Sequence, residues 1–243
     1  MLFQELEKRN FVMNRRLGSS LAMIAGAINV AGFMEFGYYC ANMTGNASAL
    51  ALNLQKGALQ EGLRALELGG SFVLGAVICT ILVNIGHRQR WPAKYVFSIL
   101  LEAGLLALMG LVNAIRGFDQ ASFFPAFTLA FLMGLQNATV TRISGSVVRT
   151  THITGMMTDL GIEIADLLDS WRYNVSNEHR SSIKQRLWLH LQIIGSFVVG
   201  GVIGAFVYYD RPTYFFLITA SLLAGSAILG SITNATAWFS RKN

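Results

Sequence analysis

Apolar residues in this chain come in long blocks rather than in the alternating or one-sided patterns of water-soluble elements. Six blocks reach the roughly 20 residues that a helix needs to cross a bilayer: 17–40, 66–86, 95–115, 121–141, 187–209 and 213–234. Three charged side chains, Glu35, Glu67 and Glu102, fall inside these limits, and the last three blocks hold none. A soluble helical bundle keeps a charged stripe on each helix. The pattern therefore predicts an all-α, polytopic membrane bundle with six transmembrane helices. Block 17–40 follows a basic stretch, as a signal sequence does. It is longer than a signal's apolar core and contains Glu35, so it is expected to remain as the first span.

The blocks repeat. The second contains GSFVLGAVI at 70–78 and the fifth GSFVVGGVI at 195–203, identical at seven of nine positions. Two further matches keep the same order: Gly26 to Asn29 (GAIN) against Gly134 to Asn137 (GLQN), then Met43-Thr44-Gly45-Asn46 against Ile153-Thr154-Gly155-Met156. The third and sixth blocks align through Tyr95 and Tyr214, and the second half has a longer connection near 172–186. The chain thus reads as one integral membrane domain, 1–243, with one repeat at about 17–115 and another at about 121–234. Three crossings per repeat would insert the two in opposite directions, the inverted-repeat construction of many transporters.

Charge supports that reading. Only 13% of the residues are charged and 53% are hydrophobic, with a mean hydropathy of +0.47, which excludes intrinsic disorder. The net charge of +6 follows topology. Fifteen of the 19 basic residues lie in the N-terminus, the second and fourth connections and the C-terminus, leaving Lys56, Arg64, Arg116 and Arg211 opposite. Basic residues collect on the cytoplasmic side, so both termini are expected there, and no nucleic-acid partner is implied. Cys40 and Cys79 sit in apolar runs without metal or disulfide spacing. Small residues recur at i+4 in Gly18/Ala22/Gly26, Ser71/Gly75/Cys79 and Ser196/Gly200/Gly204. Such faces let helices pack closely in lipid, within one chain or across a homodimer.

The stretch 26–46, with Glu35 and the string Ala41-Asn42-Met43-Thr44-Gly45-Asn46, resembles the YoaK family of small bacterial membrane proteins. Thr151-His152-Ile153-Thr154-Gly155-Met156-Met157-Thr158-Asp159 fits the same family, and the resemblance covers nearly the whole chain. Two positions depart from the family pattern: Glu35 stands where Asp is usual, and His152 where an aromatic or aliphatic residue is frequent. The resemblance implies a multi-pass protein of the bacterial cytoplasmic (inner) membrane with a transport role. It names no substrate.

Candidate chemistry centres on the two Thr-Gly segments. Each precedes a helical stretch too short or too polar to span alone, 47–54 and 156–168. A Thr or Asn caps a helix start, Gly allows close approach, and the free N–H groups favour an acceptor or anion. The substrate- or ion-binding set is therefore Glu35, Asn29, Asn42, Thr44, Gly45, Asn46, Asn137, Thr154, Gly155 and Asp159. The helix starts would either meet near the midplane or lie as capped helices at the membrane surface. Glu35, costly inside a span, would bind a cation or proton, or else pair with Lys56 or Arg64. Glu102 reads as polar glue between helices. Asp159, Glu163 and Asp166 share one helical face, with Glu163 and Asp166 expected at the cytoplasmic surface. No catalytic, nucleotide-binding or metal-binding motif occurs, so neither an enzyme nor a cofactor is expected.

The leading expectation is a secondary transporter or facilitator of a small solute, with proton or cation coupling through Glu35. The alternatives are a passive channel, or a membrane scaffold or signalling protein acting through its cytoplasmic 156–186 segment.

Overall fold

The computed structural model describes residues 11–91, 94–118, 122–145, 149–173 and 175–240. These residues form eight helices: α1 Phe11–Phe36, α2 Met43–Gln55, α3 Leu59–Arg88, α4 Val96–Arg116, α5 Phe124–Ser144, α6 Ile153–Arg172, α7 Asn177–Asp210 and α8 Pro212–Ser240. No strand occurs among the described residues.

Helix ends differ from the apolar blocks in an instructive way. α3 starts at Leu59 rather than at 66, and α7 at Asn177 rather than at 187. Their 30 and 34 residues correspond to about 45 and 51 Å of helix at 1.5 Å per residue. The apolar blocks mark the apolar middle of each helix, while the backbone ladder continues through amphipathic and polar ends. Ser176 caps the extended start of α7, its side chain accepting from the His179 N–H. His87 and His179 accordingly lie on the last turn of α3 and the first turn of α7.

Four helical stretches are long and apolar enough to cross a membrane: Gly18–Phe36, Leu59–Arg88, Val96–Arg116 and Asn177–Asp210. Pro212–Ile228 is apolar over a shorter length. The described residues are thus all-helical, and their long apolar helices are those of a membrane protein. α5 does not reach the same apolar standard because it carries Gln136, Asn137, Thr139 and Arg142. Twelve of its 21 residues are buried. It is the most enclosed helix, and its polar groups face protein, as Gln136 does in donating to the Leu21 carbonyl of α1 at 3.0 Å. The outer faces are the reverse: Val73, Leu74 and Val77 of α3 and Val198, Val199, Val202 and Ile203 of α7 are exposed, a surface suited to lipid.

The most extensive packing joins α1 to α7, α3 to α5 and α4 to α8, while α2 lies on α3 and α6 on α7. Glycine makes the first two crossings. A methyl built at Gly26 would overlap the Phe197 carbonyl of α7, and one at Gly200 would overlap the Met23 carbonyl of α1. At the other crossing, Gly134 faces the Phe72 carbonyl and Gly75 the Phe131 carbonyl in the same way. The backbones touch where a Cβ would stand, so the i+4 small-residue faces are crossing surfaces within one chain.

Candidate functional site

A cavity of about 760 Å³ opens between the helix starts of α2 and α6. It is lined from one side by Asn29, Asn42 and Thr44, with Phe72, and from the other by Asn137, His152, Thr154 and Gly155, with Phe197. These are matching positions of the sequence repeat: Asn29 with Asn137, Asn42 with His152, Thr44 with Thr154, and Phe72 with Phe197. Arg149 adds a cationic side chain to the lining.

Each helix start is held there by an asparagine on a packed helix. The buried Asn29 side chain of α1 accepts a hydrogen bond from the Ala41 N–H at 2.9 Å, so the chain leaving α1 doubles back beside α1 before α2 begins. Asn137 of α5 does the corresponding work in the second half. Its amide donates to Thr151 Oγ1, and its oxygen accepts from Thr150 Oγ1 at 3.1 Å.

The two starts differ in their caps. Asn42 caps α2, its side-chain oxygen accepting from the Gly45 N–H at 3.0 Å. His152 occupies the same place on α6 and makes no side-chain capping bond. Both capping side chains lie over the glycine that follows: a methyl at Gly45 would meet the Asn42 amide, and one at Gly155 the His152 ring. A side chain at either glycine would displace the residue that lies over it. First-turn N–H groups have no partner within their own helix. At α6 the His152 ring does not supply one. The cavity therefore offers backbone donors, two threonine side chains and a guanidinium, a surface that hydrogen-bonds an acceptor-bearing solute.

Residues 17–229, which run from α1 into α8 and include both Thr-Gly helix starts, match the family described as "Protein of unknown function (DUF1275)". The chain belongs to the DUF1275 family. It is also similar to the UPF0700 transmembrane protein YoaK of Bacillus subtilis (strain 168), with 24% identity over 182 residues, covering 74% of this chain and 80% of that protein. No solved structure matches it.

In this DUF1275 protein, the remaining sequence-derived candidates lie apart from the cavity lining. Gly45 sits beneath the Asn42 cap. Asn46 is buried one position further along α2, and its side-chain amide nitrogen has no hydrogen-bond partner. Asp159 is exposed on α6. Glu35 is half-buried near the end of α1, and its Oε2 accepts from the Tyr208 hydroxyl of α7. Its cross-helix bond is to that phenol rather than to Lys56 or Arg64; Arg64 instead stands 5.1 Å over the Phe123 ring.

Glu163 also departs from expectation. It is buried against α7, with His190 Nδ1 3.0 Å from its Oε2, while Met157, Ile164, Leu168 and Trp171 of the same helix are exposed. Spacing placed Asp159, Glu163 and Asp166 on one helical face, yet Glu163 is buried against α7 while Asp159 and Asp166 are exposed. Sequence reasoning missed Arg149, Phe72 and Phe197 as cavity residues. The two phenylalanines had a signal, since both occupy the third position of the repeated GSFV string. Arg149 had none. Among the described residues, no cluster of three or more metal-ligating side chains occurs.

Proposed function

We propose that this DUF1275 protein is a secondary transporter or facilitator moving a small solute across the bacterial cytoplasmic membrane. Its two halves are inverted repeats totalling six spans, with both termini cytoplasmic, and the α2 and α6 starts are half-helices entering from opposite faces toward one central site. The observation that carries this reading is the cavity itself, lined by matching residues from both halves. Two capped helices lying at opposite membrane surfaces would not share a cavity.

Further support comes from the crossings. α1 against α7 and α3 against α5 exchange with one another when the halves are exchanged, and so do the four glycine–carbonyl contacts that make them. Alternating access in such a construction is a rocking of one set of helices against the other around a fixed site. Glu35 lies outside the cavity and is engaged by Tyr208, so it acts on the α1–α7 crossing rather than as a direct solute ligand. The 156–186 segment largely belongs to α6 and the start of α7, with Glu163 committed to α7, which favours a structural part in the transporter over a free signalling surface.

The test is uptake by purified full-length protein in liposomes, using a defined mixture of amino acids, organic acids and nucleosides, with and without a proton gradient. At least one solute accumulates above protein-free vesicles, with saturation. Thr44→Val combined with Thr154→Val lowers its rate about tenfold, the equivalent of about one hydrogen bond in the barrier. Uptake unaffected by the double substitution, or no uptake of any component, contradicts the proposal. Flux that never saturates identifies a channel.

A further inference from the structure

A second carboxyl group is more thoroughly enclosed than Glu35. Glu102, in the middle of α4, is fully buried, and neither of its oxygens has a hydrogen-bond partner. It is therefore not glue between helices. Around it the polar groups are already committed to one another. Ser98, one turn earlier on the same face of α4, donates to Cys79 Sγ of α3 at 3.7 Å. Cys79 lies 3.2 Å from Thr139 Oγ1 of α5. Thr139 donates in turn to the Leu135 carbonyl at 2.8 Å. With the Cys79 proton on Thr139, every hydrogen in this chain is used within the chain itself.

Among the described residues, no cation forms an ion pair with the carboxyl. α3 brings Cys79 within electrostatic reach, and Arg142 of α5 reaches that cysteine. The Arg142 guanidinium is itself donated to Asn84 Oδ1 at 3.2 Å, on the exposed side of the α3–α5 contact. α8 carries no charged residue over Pro212–Ile228, and α4 itself has Arg116 only at its far end. An ionised carboxylate placed here would have neither a counter-charge nor a donor, an arrangement that proteins avoid by keeping the acid neutral. An ionisable group retained inside a membrane helix without a structural partner is the usual mark of a proton or ion pathway.

We infer that Glu102 is a proton-binding site, neutral in this conformation and ionised only when the α3–α4–α5 junction opens to water. The balance is simple: in the hydrated state the carboxylate takes one proton from water on one side of the membrane, the junction closes on the neutral acid, and reopening returns that proton to water. Binding of the proton stands on the burial and lone position of Glu102. Its use to drive solute movement rests on the transport reading above. The role that the sequence suggested for Glu35 then falls to Glu102, while Glu35 keeps its bond to Tyr208.

The experiment is infrared spectroscopy of the full-length protein in lipid at neutral pH, with the proton as the probe and no solute present. The wild type shows a protonated-acid carbonyl band that shifts in D2O. Glu102→Gln removes it, and Glu35→Gln leaves it in place. Glu102→Asp, which keeps the acid if the amide variant does not fold, retains the band at a displaced frequency. Absence of the band in the wild type, or its survival in Glu102→Gln, overturns the inference. Because no solute is involved, failure of the liposome uptake leaves this result intact, and loss of the band leaves the uptake result intact.

Discussion

The crossing of α1 with α7 and that of α3 with α5 are built alike in backbone and unlike in chemistry. Each uses two glycines set against two main-chain carbonyls, Gly26 and Gly200 in one, Gly134 and Gly75 in the other. The ionisable groups are not duplicated. The first crossing holds the Glu35–Tyr208 pair, whose matching positions in the second are Ile143 and Val83. Beside the second lie Cys79, Thr139 and the lone acid Glu102, where the first has Gly204 and Ala31 at the positions matching Cys79 and Thr139. Close approach is a property of the shared construction, whereas the two carboxyl groups at or beside these crossings, Glu35 and Glu102, both come from the first half. On the transport proposal, a symmetric frame with asymmetric carboxyl groups would let one cavity be reached from two sides while one proton is tied to one of the states.

The comparison can be broken most severely at the glycines. Gly26→Val and Gly134→Val each force a side chain into a carbonyl of the facing helix, and each should lower stability in detergent by about 3 kcal/mol or more, read by thermal unfolding. Equal losses sustain the likeness of the crossings, whereas a silent substitution at either one ends it.

A smaller effect is expected at the asparagines that hold the helix starts. Asn29→Ala leaves the buried Ala41 N–H unpaired, and Asn137→Ala strands Thr150 and Thr151. Each costs about 2 kcal/mol. Hydrogen exchange should then rise at the start of α2 for the first variant and of α6 for the second. Faster exchange spread evenly through the bundle would instead assign the asparagines to general packing.

The smallest change sharpens the difference between the crossings. Tyr208→Phe removes the hydroxyl that Glu35 accepts from and costs about 1 kcal/mol, because a half-buried carboxylate can recover water. The protonated-acid signal of Glu102 stays in place. Its disappearance would mean that the two carboxyls titrate as one system.

The helical, apolar character of the chain and the Thr-Gly helix starts were legible in the sequence because each rests on local rules, hydropathy and capping. The starts of α3 and α7 were not, since a helix continues past its apolar core without a hydropathy signal. Glu163 and Glu35 show a second limit. Spacing placed Glu163 on a helical face and hydropathy placed Glu35 in an apolar block, but His190 and Tyr208, their partners on α7, are 27 and 173 residues away along the chain. Glu102 shows a third, for nothing in its neighbouring sequence tells a bonded carboxyl from a lone one. That distinction depends on Cys79, Ser98 and Thr139 having already satisfied each other across three helices.

The central claim, that the two Thr-Gly helix starts share one cavity, is tested most directly by thiol labelling from each side of the membrane. Cys40 and Cys79 are fully buried, so Thr44→Cys and Thr154→Cys are introduced singly into the otherwise unaltered protein and treated with a membrane-impermeant reagent from outside or inside sealed vesicles. A shared cavity predicts that both positions react from the same face, and that both lose reactivity together when a transported solute is added. Labelling of Thr44→Cys from the outside alone and Thr154→Cys from the inside alone would place the helix starts at opposite surfaces and contradict the account.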